Sequence, residues 1–213
     1  MKSFTRRNAA IAIFIAVFTT TSVFLFLYNW NLLYGPSLGS KHQSAVWKCV
    51  NETWCVSITG NVNEIVQIGI SKLRDNKTFT YVPDTQYAWL NSVGSSSTVS
   101  FAGVELADVL KKTKVLPSNA TELRFVGTDG YSSFDLPISV VLANPDRVLL
   151  ANRENNNALG TKDQGGDGPI KSFVALDVLQ GNTEVAAIFQ AQGQSTVYNS
   201  VYAVKWCNSI III

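Results

Sequence analysis

The sequence predicts an α+β, mainly β fold behind a single apolar N-terminal segment. Three observations predict it. From Trp54 onward, short runs alternate apolar and polar residues and are broken by Gly, Pro, Asn and Asp, the pattern of half-buried strands. Few stretches carry helical spacing, chiefly residues 104–112. Residues 9–28, AAIAIFIAVFTTTSVFLFLY, contain no charge.

The elements follow in order. Residues 54–59 alternate and stop at Gly60, and residues 65–70 alternate again. Residues 71–74 suit one helical turn, broken by Asp75-Asn76. A strand is expected over 78–82 before Pro83, and a short extended piece over 87–90. A polar loop follows over 91–97, then a strand over 98–101. In 104–112, Val104, Ala107 and Leu110 share one helical face. Residues 123–126 suit a strand, Asp129-Gly130 a turn, and 134–136 a resumed strand. A short helix over 137–142 ends before Asn144-Pro145, and 147–151 is apolar and extended. Residues 152–168 form a long polar loop. Strands are expected over 170–176, 185–190 and 197–206, and 210–213 closes the chain.

Residues 9–28 have the roughly 20-residue length that spans a bilayer as a helix. Lys2, Arg6 and Arg7 precede them without an acid, and 29–40 are neutral. Positive flanks stay inside, so the expected order is a cytoplasmic tail (1–8), a transmembrane signal anchor (9–28), a linker (29–46) and an extracytoplasmic domain (47–213). The run is longer than the apolar core of a cleaved signal peptide and has no A-x-A site close behind it. The implied location is a cell membrane, crossed once with the N-terminus inside.

The rest of the composition excludes several classes of chemistry. The 17 basic residues are scattered and nearly balanced by 15 acidic ones, so no nucleic-acid partner is expected. His42, in the linker, is the only histidine, which removes histidine metal clusters and histidine-assisted nucleophiles from the domain. Phosphate-cradling glycine motifs are absent. The three cysteines, Cys49, Cys55 and Cys207, leave the pairing open: Cys49 with Cys55, or either with Cys207. Asn51, Asn76 and Asn119 begin glycosylation-type triplets, as suits an external surface. The acidic glycine-rich stretch 163–168, DQGGDG, lacks the spacing of a calcium loop, and no metal ligand is assigned.

One ordered set of motifs resembles a known family. It comprises Gly103, Val104, Leu106 and Leu110; Asp129-Gly130-Tyr131; Leu149-Leu150-Ala151; Gly168-Pro169; and Lys205-Trp206. In this order they resemble the sulfite-oxidase-like molybdopterin-binding domain, over about Trp54 to the C-terminus. The resemblance implies that fold, molybdopterin as cofactor, and Asp129, Tyr131, Lys171 and Tyr202 as pocket positions. Four departures accompany it. The family's molybdenum-binding cysteine belongs to the segment before G-V-x-L, here 91–101, which holds none. The arginine that pairs with the cofactor's phosphate is replaced by Lys171, and its neighbouring asparagine by Gly166. Tyr202 stands where the family has a lysine. No catalytic residue is therefore carried over. The expectation is a non-catalytic domain binding a small molecule or a protein; the alternative is an active oxidoreductase with atypical metal ligation that passes electrons to a membrane carrier.

Overall fold

The computed structural model describes residues 47–213. The expected anchor, tail and linker, with His42, lie outside them. Among the described residues no helix is long and apolar enough to cross a membrane.

Two five-stranded sheets organise the domain. The first has the order β2-β1-β10-β5-β6, built from β1 (Cys55–Gly60), β2 (Val66–Gly69), β5 (Glu122–Gly127), β6 (Leu136–Pro137) and β10 (Cys207–Ile212). Its β1–β10 pair is parallel, with Ile58 opposite Ile210, so the chain's last strand sits beside its first. The second runs β3-β4-β7-β8, from β3 (Tyr81–Leu90), β4 (Ser96–Glu105), β7 (Val148–Glu154) and β8 (Asn157–Ala158). In it β9 (Lys171–Val174) also pairs with β7. All pairs in this sheet are antiparallel.

Period-2 alternation gives the second sheet two buried faces. Val104, Val148, Leu150 and Val174 join a large core with β1, β2, β5 and β10. The helices α1 (Ile70–Arg74), α2 (Leu106–Thr113), α3 (Ile138–Ala143) and α5 (Thr183–Ala191) add Leu73, Leu110, Val141 and Phe189 to it. The alternate residues Phe101, Leu149, Ala151 and Phe173 form a smaller core with Val82, Tyr87, Val99 and Ala175. Within it Phe173 lies 4.3 Å from Phe101 and 4.9 Å from Tyr87 between ring centroids.

Several expectations hold and several are corrected. β1, β2, α1, β5, α3, β7 and β9 fall where the patterns place them. The pieces expected at 78–82 and 87–90 merge into one ten-residue strand, β3, which starts only at Tyr81 and shifts register between Val82 and Thr85. Strand β4 starts inside the expected loop and runs through Val104, so α2 begins at Leu106. Gly103 is required there, because a side chain would strike the backbone of Leu150 across a register shift.

Residues 185–190 are helical, not extended. The Asn182 side chain accepts from the Val185 amide at 3.1 Å and Glu184 occupies the first turn. Val185 and Phe189 then fall on one buried face. A four-residue helix, α4 (Leu176–Leu179), precedes it without having been expected. Residues 197–206 are not a strand either. Ser200–Tyr202 make a 3-10 turn that buries Val201 and Tyr202 together, and the final strand starts at Cys207. Asn199 fixes this turn: wholly buried, it accepts from the Leu90 amide at 2.8 Å and donates to the carbonyls of Ala88 and Val174.

Candidate functional site

The strongest charge cluster surrounds Lys171. Strand β9 places it opposite Ala151, on the small-core face of the sheet. Its side chain is only 5% exposed. The ammonium lies 2.8 Å from Glu154 Oε2 and 3.1 Å from Asp167 Oδ2. The rings of Phe101 and Trp89 stand 5.4 and 5.9 Å from it. A buried ammonium is tolerated only with such partners. Glu154 comes from the end of β7, and Asp167 from the loop before β9. The other oxygen of Asp167 takes Lys205 Nζ at 2.9 Å, so this carboxylate bridges two lysines. Burial pushes its pKa up, but the hydrogen bond from Lys205 and the charge and hydrogen bond of Lys171 outweigh that and hold it below the usual aspartate range.

The loop is pinned beside them. Trp206 donates its amide to Asp167 O at 2.8 Å and its indole to Gly166 O at 2.7 Å, and Lys162 lies 4.9 Å from its ring. This loop is the acidic glycine-rich stretch, and its Asp167 is spent on lysines rather than held open for a cation.

Tyr202 lies on the other face of the sheet. It is wholly buried in the large core, with its hydroxyl donating to Asp135 O at 3.0 Å. Ser172, adjacent to Lys171 and pointing oppositely, donates to Tyr202 O at 2.7 Å and accepts from the Val204 amide at 3.1 Å. Burial raises the Tyr202 phenol far above its usual range, so it is neutral.

Asp129 and Tyr131 form a turn at the end of β5. Gly130 takes φ +84°, Asp129 accepts from the Tyr131 amide at 3.0 Å, and Gly127 donates to Tyr131 O at 2.9 Å. Tyr131, 46% exposed, reaches Val201 O at 3.3 Å. Thus Asp129, Tyr131 and the Tyr202 turn are neighbours, whereas Lys171 faces away from Tyr202 across β9.

The fit of molybdopterin is testable on these residues. The resemblance implies a cysteine thiolate, a soft ligand, for its metal. Cys49 and Cys55 form a disulfide. Cys207 is wholly buried on β10, where burial pushes its pKa up to about 12. Segment 91–101, where the thiolate is expected, is a turn leading into β4. Asn91 Oδ1 accepts from the amides of Val93 and Ser95, and Val93 is 82% exposed. Lys171, where the resemblance expects the phosphate partner, is already paired with two carboxylates. The residues present do not fit the metal-bearing cofactor.

The sequence names Lys171 and Tyr202 as pocket positions but does not mark the groups that surround them, and the two lie on opposite sides of β9. Glu154 and Asp167 were signalled only as acids in a polar loop, and nothing in the sequence marked Asn199 or Ser172. Clefts among the described residues lie elsewhere. One of about 500 Å³ runs between α2 and α3, lined by Leu110, Leu116 and Leu142. One of about 540 Å³ lies beside α5. One of about 240 Å³ is lined by Arg74, Tyr81, Asn152, Arg153 and Ala158.

The model of a family described as the oxidoreductase molybdopterin binding domain matches residues 42–176. Among solved structures, the sulfane dehydrogenase SoxCD from Paracoccus pantotrophus has a similar fold, with a TM-score of 0.53 at 16% identity. The likeness covers 78% of this chain but 39% of that one, so this chain spans well under half of it. No curated protein matches the chain.

Proposed function

The chain belongs to the oxidoreductase molybdopterin binding domain family, and we propose that it is a non-catalytic member, a binding domain for a small molecule or a protein. In this reading residues 9–28 anchor it in a cell membrane, the N-terminus stays inside, and residues 47–213 work on the extracytoplasmic side.

One observation carries the non-catalytic reading: the position that would grip the cofactor's phosphate is closed by the protein's own carboxylates. Asp167 presents one oxygen to Lys171 and the other to Lys205, the kind of contact a bound phosphate oxygen pair would make. An added anion would have to displace Asp167 and leave its carboxylate unpaired. The missing thiolate supports the same reading from the metal's side.

Metal analysis of the full chain, purified in detergent from cells supplied with molybdate, tests this. The expected result is molybdenum far below one atom per chain and no pterin fluorescence after oxidative release. Stoichiometric molybdenum with pterin would overturn it and establish the active oxidoreductase instead. Protease added to intact cells tests the topology: the domain should be digested from outside, and a protected domain refutes the orientation.

A further inference from the structure

We propose that the cleft formed by Arg74, Tyr81, Asn152 and Arg153 binds a small oxyanion or carboxylate. This site is separate from the Lys171 cluster and does not depend on the non-catalytic reading. The cleft is about 240 Å³ and gathers residues from four elements: Arg74 ends α1, Tyr81 opens β3, Asn152 and Arg153 lie on β7, and Ala158 ends β8. That volume suits one small anion with a few waters, not a nucleotide or a pterin.

Its charge is positive and incompletely used. Arg153 pairs with Asp84 Oδ2 at 3.1 Å through Nε and donates from Nη2 to Asn156 O at 2.5 Å. Its Nη1 remains for a ligand. The Arg74 guanidinium has no ion pair or hydrogen bond with another described residue. The nearest acid in sequence, Asp75, is spent on its own turn, accepting from the amides of Lys77 and Thr78 and from the Thr78 hydroxyl. Two guanidinium groups therefore line the cleft against one paired carboxylate. A planar guanidinium matches an oxyanion or carboxylate by paired donors.

The remaining wall is rigid and preorganised. Asn152 is 5% exposed; it accepts from the Tyr81 hydroxyl at 2.9 Å and donates to Leu73 O at 3.3 Å. These bonds tie β3, β7 and α1 together, so the arginines are presented from a fixed frame. Burial raises the Tyr81 phenol, which stays a neutral hydroxyl beside the anion. The small side chain of Ala158 completes the lining.

Calorimetric titration of the full chain in detergent micelles, in a chloride buffer, tests the site. The probes are inorganic phosphate, sulfate, acetate and succinate. Saturable millimolar or tighter binding is expected for at least one of them. Arg74→Ala, at an exposed helix end, should weaken it about tenfold or more, the effect of losing a charged hydrogen-bond donor. Arg147→Ala, removing an arginine outside the cleft that pairs with Asp146 and Asp177, should leave affinity unchanged. Tighter binding of the inorganic anions assigns the site to free oxyanions, and tighter binding of the organic acids to carboxylates. No saturable binding, or equal affinity in Arg74→Ala, overturns the proposal.

Discussion

The two faces of the second sheet bury very different material. The inner face meets a large, nearly all-apolar core that includes Tyr202 and Cys207. The outer face meets eight buried apolar residues and, beside them, the ammonium of Lys171 held by Glu154 and Asp167. The inner side is closed by packing and the outer side by charge pairing. Of the four pocket positions that the motifs suggest, Tyr202 is packed on the inner side and Lys171 is ion-paired on the outer one. Packing responds to lost volume, whereas ion pairing responds to charge and pH, so the two sides answer to different perturbations.

The largest effect expected concerns the packed side. Cys207 is wholly buried, and its thiol stays protonated at neutral pH. Alkylation of the unreduced protein should be slower than in denaturant by about 1,000-fold or more, because it needs an opening of most of the fold. Rapid stoichiometric labelling would show an available thiolate and break the contrast between sealed and charged sides. On the outer face, Phe173→Ala removes the ring on which Phe101 and Tyr87 pack, and should cost about 3–5 kcal/mol in urea unfolding. A loss below about 1 kcal/mol would make that face peripheral to the cooperative fold.

The charged closure is weaker and compensable. Glu154→Ala removes one of two partners of a buried ammonium and should cost about 2 kcal/mol, less than breaking a fully isolated pair because Asp167 remains. Lys171→Met in the same chain should recover most of that loss, since a thioether suits the neighbouring Phe101 and Trp89 rings. Equal stability losses in the single and double variants would mean that Glu154 acts through something other than Lys171.

The parts of this architecture legible in the sequence are those with a local signal. Alternation locates β1 and β2, short apolar runs locate β5 and β7, and the ordered motifs lead to the family that residues 42–176 match. The misreadings are short apolar runs whose fate is tertiary. Residues 185–190, VAAIFQ, suit strand or helix by composition, and the cap at Asn182 decides for helix. Residues 197–206 alternate, yet they are pulled into a turn by Asn199, whose partners Ala88, Leu90 and Val174 are distant in sequence. The candidate site follows the same rule. Lys171 was visible as a substitution within a motif, but its neutralisation by Glu154 and Asp167 depends on a loop closing back over β9.

The smallest effect expected is the acid sensitivity of that loop. Asp167 has a native pKa below the ordinary 3.8, because its bonds to Lys205 and Lys171 outweigh the opposing effect of burial. A depressed carboxylate pKa stabilises the fold only while the group is ionised. The contribution is therefore complete well above pH 4 and is lost as pH falls through the native pKa. Asp75 and Asp108 are also depressed, the first chiefly by the Thr78 amide. For Asp108 the hydrogen bonds of Lys112 and Thr80 overcome burial, so the parent protein loses stability over the same window through several groups. Asp167→Asn isolates one of them. It should cost about 1 kcal/mol or less at pH 7, given the partial exposure of the carboxylate and of Lys205. The difference from the parent should shrink steadily below pH 4 in urea titrations. A constant difference across that range would mean that Asp167 holds the loop by shape rather than by charge, and the outer closure would then resemble the inner one.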